Sequence, residues 1–442
     1  MTELFFIFIQ FFIIYFFLSF NICALNNNTS RLENLSLPEN ISFNSIIFLN
    51  FILIVSFFNV SLNKIIFCYV FYLVFLMIIY LSKFKTLLIS YKRNFFYFIL
   101  LFITSIVIFF EVSNNLVLAW DAEKFWVYKT LNFYNENTIT NLSNFRNPFY
   151  PYLGSLSWSF FWKVSFLENE YSGRLFYVFF YLTSLLLIVS NFNLSKFHKI
   201  IFYILLIIVS YDYTYHSLWS MFSGHQEILI FSLVTTAIHF MYRLSNNNTK
   251  SFNLNILTIL LICNLLIWIK HEGFVISLAL IITLMVFFKI DLKQKFFILG
   301  FFLGIIFFRF FIFEIYNLNP SNIQHSGFEN IQLAEILKRI SIERILVVLK
   351  FLLLGLFSNY LILIGIALLS IMIIIKRNIK KIFYVAFFLS FNILFFCGIY
   401  LITDTDLNHM LKTGIDRVIF QFSPFAMLIF LELYNSKKFK KN

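Results

Sequence analysis

Charge is scarce in this sequence. Asp, Glu, Lys and Arg together make up 12% of its 442 residues, against 60% hydrophobic and 21% aromatic residues, with 66 Phe and a mean hydropathy of +0.85. A water-soluble fold has too little interior to hide that much apolar surface, so the soluble multidomain class is excluded and a polytopic membrane protein is expected. Cysteine motifs are also missing: Cys23, Cys68, Cys263 and Cys397 lie in apolar stretches with no CxxC or Cys/His spacing, and read as small hydrophobic residues. The first apolar run, Leu4 to Leu25, has no basic residue before it. At about 22 residues it exceeds the roughly 7 to 15 of a signal-peptide core, so it reads as a retained span. Net charge is +13, yet no basic stripe or nucleic-acid motif accompanies it, which argues against a nucleic-acid partner.

The cations that are present fall in short clusters between apolar runs: Lys83/Lys85/Lys92/Arg93, Lys196/Lys199, Lys376/Arg377/Lys380/Lys381 and Lys437/Lys438/Lys440/Lys441. Cytoplasmic loops facing an anionic leaflet have this pattern. Spans are expected near 4-25, 43-60, 64-82, 95-113, 171-190, 200-214, 226-243, 253-269, 274-289, 296-314, 358-375, 382-402 and 416-434. The fold class is therefore all-α, with about 11 to 13 transmembrane helices. With the basic clusters inside, loops 114-170, 215-225, 270-273, 315-357 and 403-415 face the opposite side. Residues 1-94 form N-terminal segments of open topology, 95-434 the core, and 435-442 a basic tail.

Two apolar stretches are expected not to cross. Crossing by 149-166 would put Lys196 and Lys199 on the wrong side, so it reads as an aromatic helix at the outer interface, anchored by Tyr150, Tyr152, Trp158 and Trp162. In 331-356, charged and apolar residues alternate at helical spacing, which reads as a second interfacial segment.

Charge at the ends of spans is costly, and four groups on the outer side need a reason. Trp120-Asp121-Ala122-Glu123-Lys124 follows the span at 95-113; Asp121 could take a proton from a hydroxyl, or be a solvated acid paired with Lys124 or Lys129. Gly224-His225-Gln226-Glu227 stands at the mouth of the next outer-facing span, where Glu227 could snorkel or face a site beside His225. Lys270-His271-Glu272-Gly273 forms a tight turn in which Lys270 could meet a phosphate or simply pair with Glu272. His409 through Arg417 leads into the last span; Arg417 offers a two-pronged phosphate contact supported by Asp416, or Asp416 caps the helix while Arg417 snorkels. Together these supply acids, a His and two cations on one face, a set suited to chemistry on a phosphate-bearing lipid.

At these residues the sequence resembles the bacterial membrane glycosyltransferases of the GT-C superfamily, the polyprenyl-phosphate-sugar-dependent group related to protein mannosyltransferases and to the lipid A aminoarabinose and galacturonic acid transferases. Trp120-Asp121-Ala122 with Trp126 and Lys129 resembles the Trp-Asp-Ala opening of the first outer loop. Arg146-Asn147-Pro148-Phe149-Tyr150-Pro151-Tyr152-Leu153 resembles its Pro/Tyr-rich helix, without that stretch's His and Asp. Gly224 to Ile228 resembles a "GYADLP" segment, with Glu227 as the acid, and Lys270 to Gly273 a "KNEG" turn. His409, Thr413, Asp416, Arg417, Gln421 and Pro424 follow a "HL-TS-DR---Q--P" pattern.

The resemblance covers residues 95 to 434 and implies an inverting transferase in the bacterial inner membrane with its site facing the periplasm. Its implied partners are a polyprenyl-phosphate-linked sugar donor, a glycolipid, glycan or protein acceptor, and the lipid bilayer. It makes Asp121 the base and Lys270 and Arg417 the groups that neutralise the departing phosphate, with Glu227, His409, Glu272, Asp416, Glu123 and Arg146 around the substrate. Some relatives use a divalent metal ion beside an Asp-x-Asp-like element. The counterpart here, Asp121-Ala122-Glu123, would point its two acids apart if helical, and no metal is assigned. The alternative from another class is a transporter or flippase of lipid-linked saccharides, which commonly shows internal repeats and mid-membrane charges; neither is evident here. A ligase or polymerase of lipid-linked glycans would place its chemistry in 315-357.

Overall fold

Long runs of Phe, Ile and Leu in lipid must satisfy every backbone N–H and C=O within the segment, which leaves the α-helix as the local solution. The computed structural model describes residues 2–20, 36–81, 84–145, 147–211, 221–245, 252–318, 339–374, 379–402 and 406–438. Among these the regular elements are all helical. In chain order they are α1 (Thr2–Ser19), α2 (Leu37–Ser56), α3 (Leu62–Leu81), α4 (Phe84–Asn114), α5 (Val127–Tyr134), α6 (Leu153–Lys163), α7 (Tyr171–Ser190), α8 (Lys196–Tyr211) and α9 (Glu227–Ser245). Then follow α10 (Phe252–Ile269), α11 (Glu272–Phe287), α12 (Leu292–Ile315), α13 (Ile342–Ser358), α14 (Tyr360–Ile374), α15 (Ile379–Ile402), α16 (Leu407–Phe422) and α17 (Met427–Lys438).

Within the described residues each apolar run expected to span falls on a helix; 21–25, 82, 212–214 and 375 of those runs lie outside them. Among the described residues eight helical stretches are long and apolar enough to cross a bilayer, or nine if the α13–α14 pair is one broken span, fewer than the 11 to 13 expected, and the chain is an integral membrane protein. Three shorter apolar helices, Glu3–Ser19, Asn253–Ile269 and Glu272–Phe287, cover runs expected to span but fall below that length. Where the helices begin, the sequence supplies partners for the unpaired first N–H groups. Pro38 sits in the first turn of α2, Asp291 and Gln294 form a capping box on α12, and the Asp406 carboxylate accepts from the N–H groups of Asn408 and His409 on α16.

Burial sorts the helices into a centre and a rim. The span window of α7 is wholly buried, and that of α9 is 89% buried. By contrast α12 is 22% buried and turns Phe296, Phe307, Phe310 and Phe311 outward. An apolar ring costs nothing against acyl chains, so the composition that excludes a soluble fold is spent on this outer surface.

The helices run up and down between two ends. α4, α10 and α15 finish, and α7, α9 and α11 begin, at the end carrying Asp121, Glu227 and Lys270. Lys196 and Lys199 lie at the other end, with Lys289, Lys293 and Lys295. Asn40 and Asn44 donate to the Ser19 and Leu18 carbonyls, so the end of α1 meets the start of α2, where Glu39 pairs with Arg243 at the lysine-rich end.

The two segments read as interfacial helices are both helical where described. α6 is an 11-residue helix that does not cross the bundle, and residues 151 to 162 are all buried. Trp158 Nε1 donates to the Glu170 carbonyl, Trp162 Nε1 to the Glu168 carbonyl, and Tyr152 shares a hydrogen bond with Ser56. The indole N–H groups find protein acceptors because α5, α7 and α2 pack around α6. Of the segment 331-356, residues up to 338 lie outside the described residues. The rest is α13, which is amphipathic, packs on α16 and meets α14 at a bend of 87°.

Gly273 allows the α10–α11 turn to close. A Cβ there would stand 1.9 Å from the Leu266 carbonyl oxygen, a backbone atom that cannot step aside. Gly273→Ala is expected to cost about 1–3 kcal/mol of stability, as overpacking does, measured as a lowered unfolding temperature of the detergent-purified protein.

Candidate functional site

A carboxylate at the start of a buried helix has the helix dipole in its favour but loses its water, so it needs cations within reach. Glu227 is the first residue of α9 and its side chain is 1% exposed. Its Oε1 accepts from Lys270 Nζ at 3.0 Å and from Arg417 Nε at 2.7 Å, and Arg417 NH2 lies 2.5 Å away. Arg417 NH2 also pairs with Asp121 Oδ2 at 2.5 Å, and Lys270 with Glu272 at 3.3 Å. His225 Nδ1 stands 3.8 Å from the second Glu227 oxygen. Four segments separated by up to 296 residues of sequence thus meet at one carboxylate and its two cations.

The local backbone explains why they meet. Gly224 adopts φ +91, and a Cβ there would lie 2.7 Å from Ala122 Cβ and 2.9 Å from the Trp158 ring. Only glycine lets the 221–226 loop pass that closely under the Asp121 segment. The Ala119 N–H donates to the Ser223 carbonyl and joins the two strands of loop directly. From below, buried Arg174 on α7 donates to the Phe222 carbonyl while paired with Glu170. Arg309 of α12 holds the Lys270 turn in the same way, donating to the Ile267 carbonyl at the end of α10 and contacting His271 Nδ1.

Burial and charge set the protonation of this region. Burial opposes the charge on Lys270, but Glu227 and Glu272 outweigh it and its pKa is raised, so the ammonium persists. Burial pushes His225 down to about 4 despite Glu227, and His271 to about 3, with Arg309 adding to the effect. Both rings are therefore neutral near pH 7. Lys129 is 1% exposed, donates to the Tyr150 carbonyl, and is pushed down by burial to about 7.

Of the residues singled out in the sequence, Asp121, Glu227, Lys270, Glu272 and Arg417 come together. Asp416 faces the neighbouring helix: its Oδ1 would lie 2.9 Å from a Cβ placed on Gly355. His409 sits on the exposed first turn of α16, two turns before Arg417, with its N–H on Asp406. Glu123 pairs with Lys124 on the surface, at 56% exposure. Asp121 precedes a π-helical turn, Ala122–Trp126, that contains Glu123. Among the described residues no group of three or more His, Cys, Asp and Glu side chains is placed to hold a metal ion. Arg146 lies outside the described residues.

Sequence reading missed three contributors. Arg174 and Arg309 look like isolated span charges until their carbonyl acceptors are seen. Tyr150 packs on His271, with ring centroids 4.9 Å apart, and lies within electrostatic reach of Glu272, Lys270, Asp121 and Arg417. Its place in a Pro/Tyr-rich stretch was the available signal. No family model, curated protein or solved structure matches this chain.

Removing the central carboxylate leaves two cations, one of them deeply buried, without their shared partner. Glu227→Gln is therefore expected to destabilise the protein by about 3–5 kcal/mol, read as a large fall in unfolding temperature. An unchanged temperature would show that the cluster is not a structural hub. A second effect follows from His225. Its folded-state pKa is depressed, so the unfolded state binds the proton first. Stability is then lost as pH falls from 6.5 towards about 4 and levels off below that. His225→Asn should flatten this acid limb by up to about 3 kcal/mol in unfolding measured across that range.

Proposed function

We propose that the chain is a membrane glycosyltransferase of the GT-C kind. It moves a sugar from a polyprenyl-phosphate donor to an acceptor hydroxyl, at the membrane face onto which the Glu227 end opens; in a bacterial inner membrane that face is the periplasmic one. The observation that carries this reading is the Asp121–Arg417–Glu227–Lys270 array, a carboxylate of intermediate exposure beside two cations anchored on a buried one.

The carboxylates divide the work by exposure. Glu227 is enclosed and holds Lys270 and Arg417 in place; Asp121, at 26% exposure, is the one a substrate reaches. A donor phosphate enters as the competing anion for Arg417 and frees Asp121 from it, since a guanidinium suits the two oxygens of a phosphate. The acceptor oxygen attacks the anomeric carbon while the bond from that carbon to the phosphate oxygen breaks. Asp121 takes the hydroxyl proton, and the polyprenyl phosphate leaves with the bonding pair, its charge met by Arg417 and Lys270. Attack opposite the leaving group inverts the anomeric centre. The arrangement gives Glu123 and His409 no part in these steps.

Asp121→Asn keeps the shape of the side chain and loses the base. Transfer from labelled polyprenyl-phosphate sugars in membranes is expected to fall by about 10²–10⁴-fold while the unfolding temperature changes little. Undiminished transfer would reject Asp121 as base.

A further inference from the structure

α9 has two charged ends. Arg243 lies 16 residues after Glu227, which at 1.5 Å per residue puts it about 24 Å away, at the lysine-rich end of the bundle. There the starts of α2, α8 and the apolar part of α4 and the ends of α7 and α9 surround an open cavity of about 460 Å³. Its charged lining is Arg243, Lys196 and Lys199 against one carboxylate, Glu39.

The cavity is built for an anion. Arg243 pairs with the buried Glu39 through NH1, so the carboxylate is neutralised by one arm of a guanidinium that carries five N–H donors. His239 is buried, and its Nδ1 sits 2.9 Å from the Asn191 amide nitrogen, which donates to it. The ring proton then resides on Nε2, which has no hydrogen-bond partner among the described residues; its nearest acid, Glu39, is 3.9 Å away. Ser36 Oγ on the same lining is likewise buried without a partner. Such groups cost stability when left unmade, so two on one cavity wall mark a place for a ligand with several acceptor oxygens. Lys196 is exposed and Lys199 half-buried against Tyr97, so both can lean over the mouth.

The surroundings favour a lipid over a soluble anion. Phe95 and Phe197, 59% and 67% exposed, adjoin the lining residues Phe96 and Lys196, giving acyl chains an apolar surface beside the cationic mouth. We infer that this cavity binds the phosphate of an anionic phospholipid headgroup from the leaflet facing the basic loops, at the end of α9 opposite the Glu227 cluster.

The test uses the full-length chain purified in detergent, titrated with dioleoyl phosphatidylglycerol or dioleoyl phosphatidylcholine and followed by native mass spectrometry. The first phosphatidylglycerol should bind more tightly than phosphatidylcholine. In the Lys196→Gln/Lys199→Gln variant that preference should fall by about fivefold per lysine removed. Lys196→Arg/Lys199→Arg should keep it, which separates charge from folding. Equal binding of the two lipids by the wild type, a glutamine variant with undiminished preference, or displacement of phosphatidylglycerol by millimolar inorganic phosphate would each overturn the proposal, the last by making it a site for soluble phosphate.

Discussion

The bundle turns on one buried carboxylate. Glu227 meets Lys270 and Arg417 in a setting where solvent can screen little, so the attraction among them is strong and the penalty for losing any one of them is larger still. Each partner comes from a different part of the chain. Lys270 ties in the α10–α11 turn, Arg417 brings α16, and through Arg417 the Asp121 loop is drawn over the end of α9. Lipid offers helices little reason to choose one neighbour over another, because acyl chains are as apolar as Phe. A charge cluster that is satisfied in only one arrangement supplies that choice.

Around this hub the backbone is held by long cations on carbonyls. Arg174 grips Phe222 and Arg309 grips Ile267, so the two loops that bear Glu227 and Lys270 are fixed from the sides facing away from the cluster. Gly224 and Gly273 do the complementary work of allowing close approach. A site assembled on turns would ordinarily be loose; here residues 221–226 and the Lys270 turn are each tied by an arginine to a backbone carbonyl, which keeps the charges poised.

The two ends of α9 carry opposite designs. At one, a carboxylate gathers cations; at the other, Arg243 answers a carboxylate amid a surplus of lysines. Both lie where helices stop, because charge is tolerable there and costly within the apolar length between. That division gives the molecule a polarity across the membrane beyond the count of basic loops.

Composition and charge distribution determined the fold class and the position of nearly every helix, since the demand for internal hydrogen bonding in lipid leaves an apolar run one conformation. They also picked out Asp121, Glu227, Lys270, Glu272 and Arg417, because a polar residue beside a span carries its cost openly in the sequence. Partners across the bundle were not legible. That α6 is enclosed by neighbouring helices, that Glu123 and His409 are exposed while Asp121 pairs with Arg417, and that Arg174 and Arg309 brace the site all depend on which helix faces which. Periodicity sets the conformation of a segment; only the tertiary packing, fixed here by the few charges that had to find one another, decides what its side chains touch.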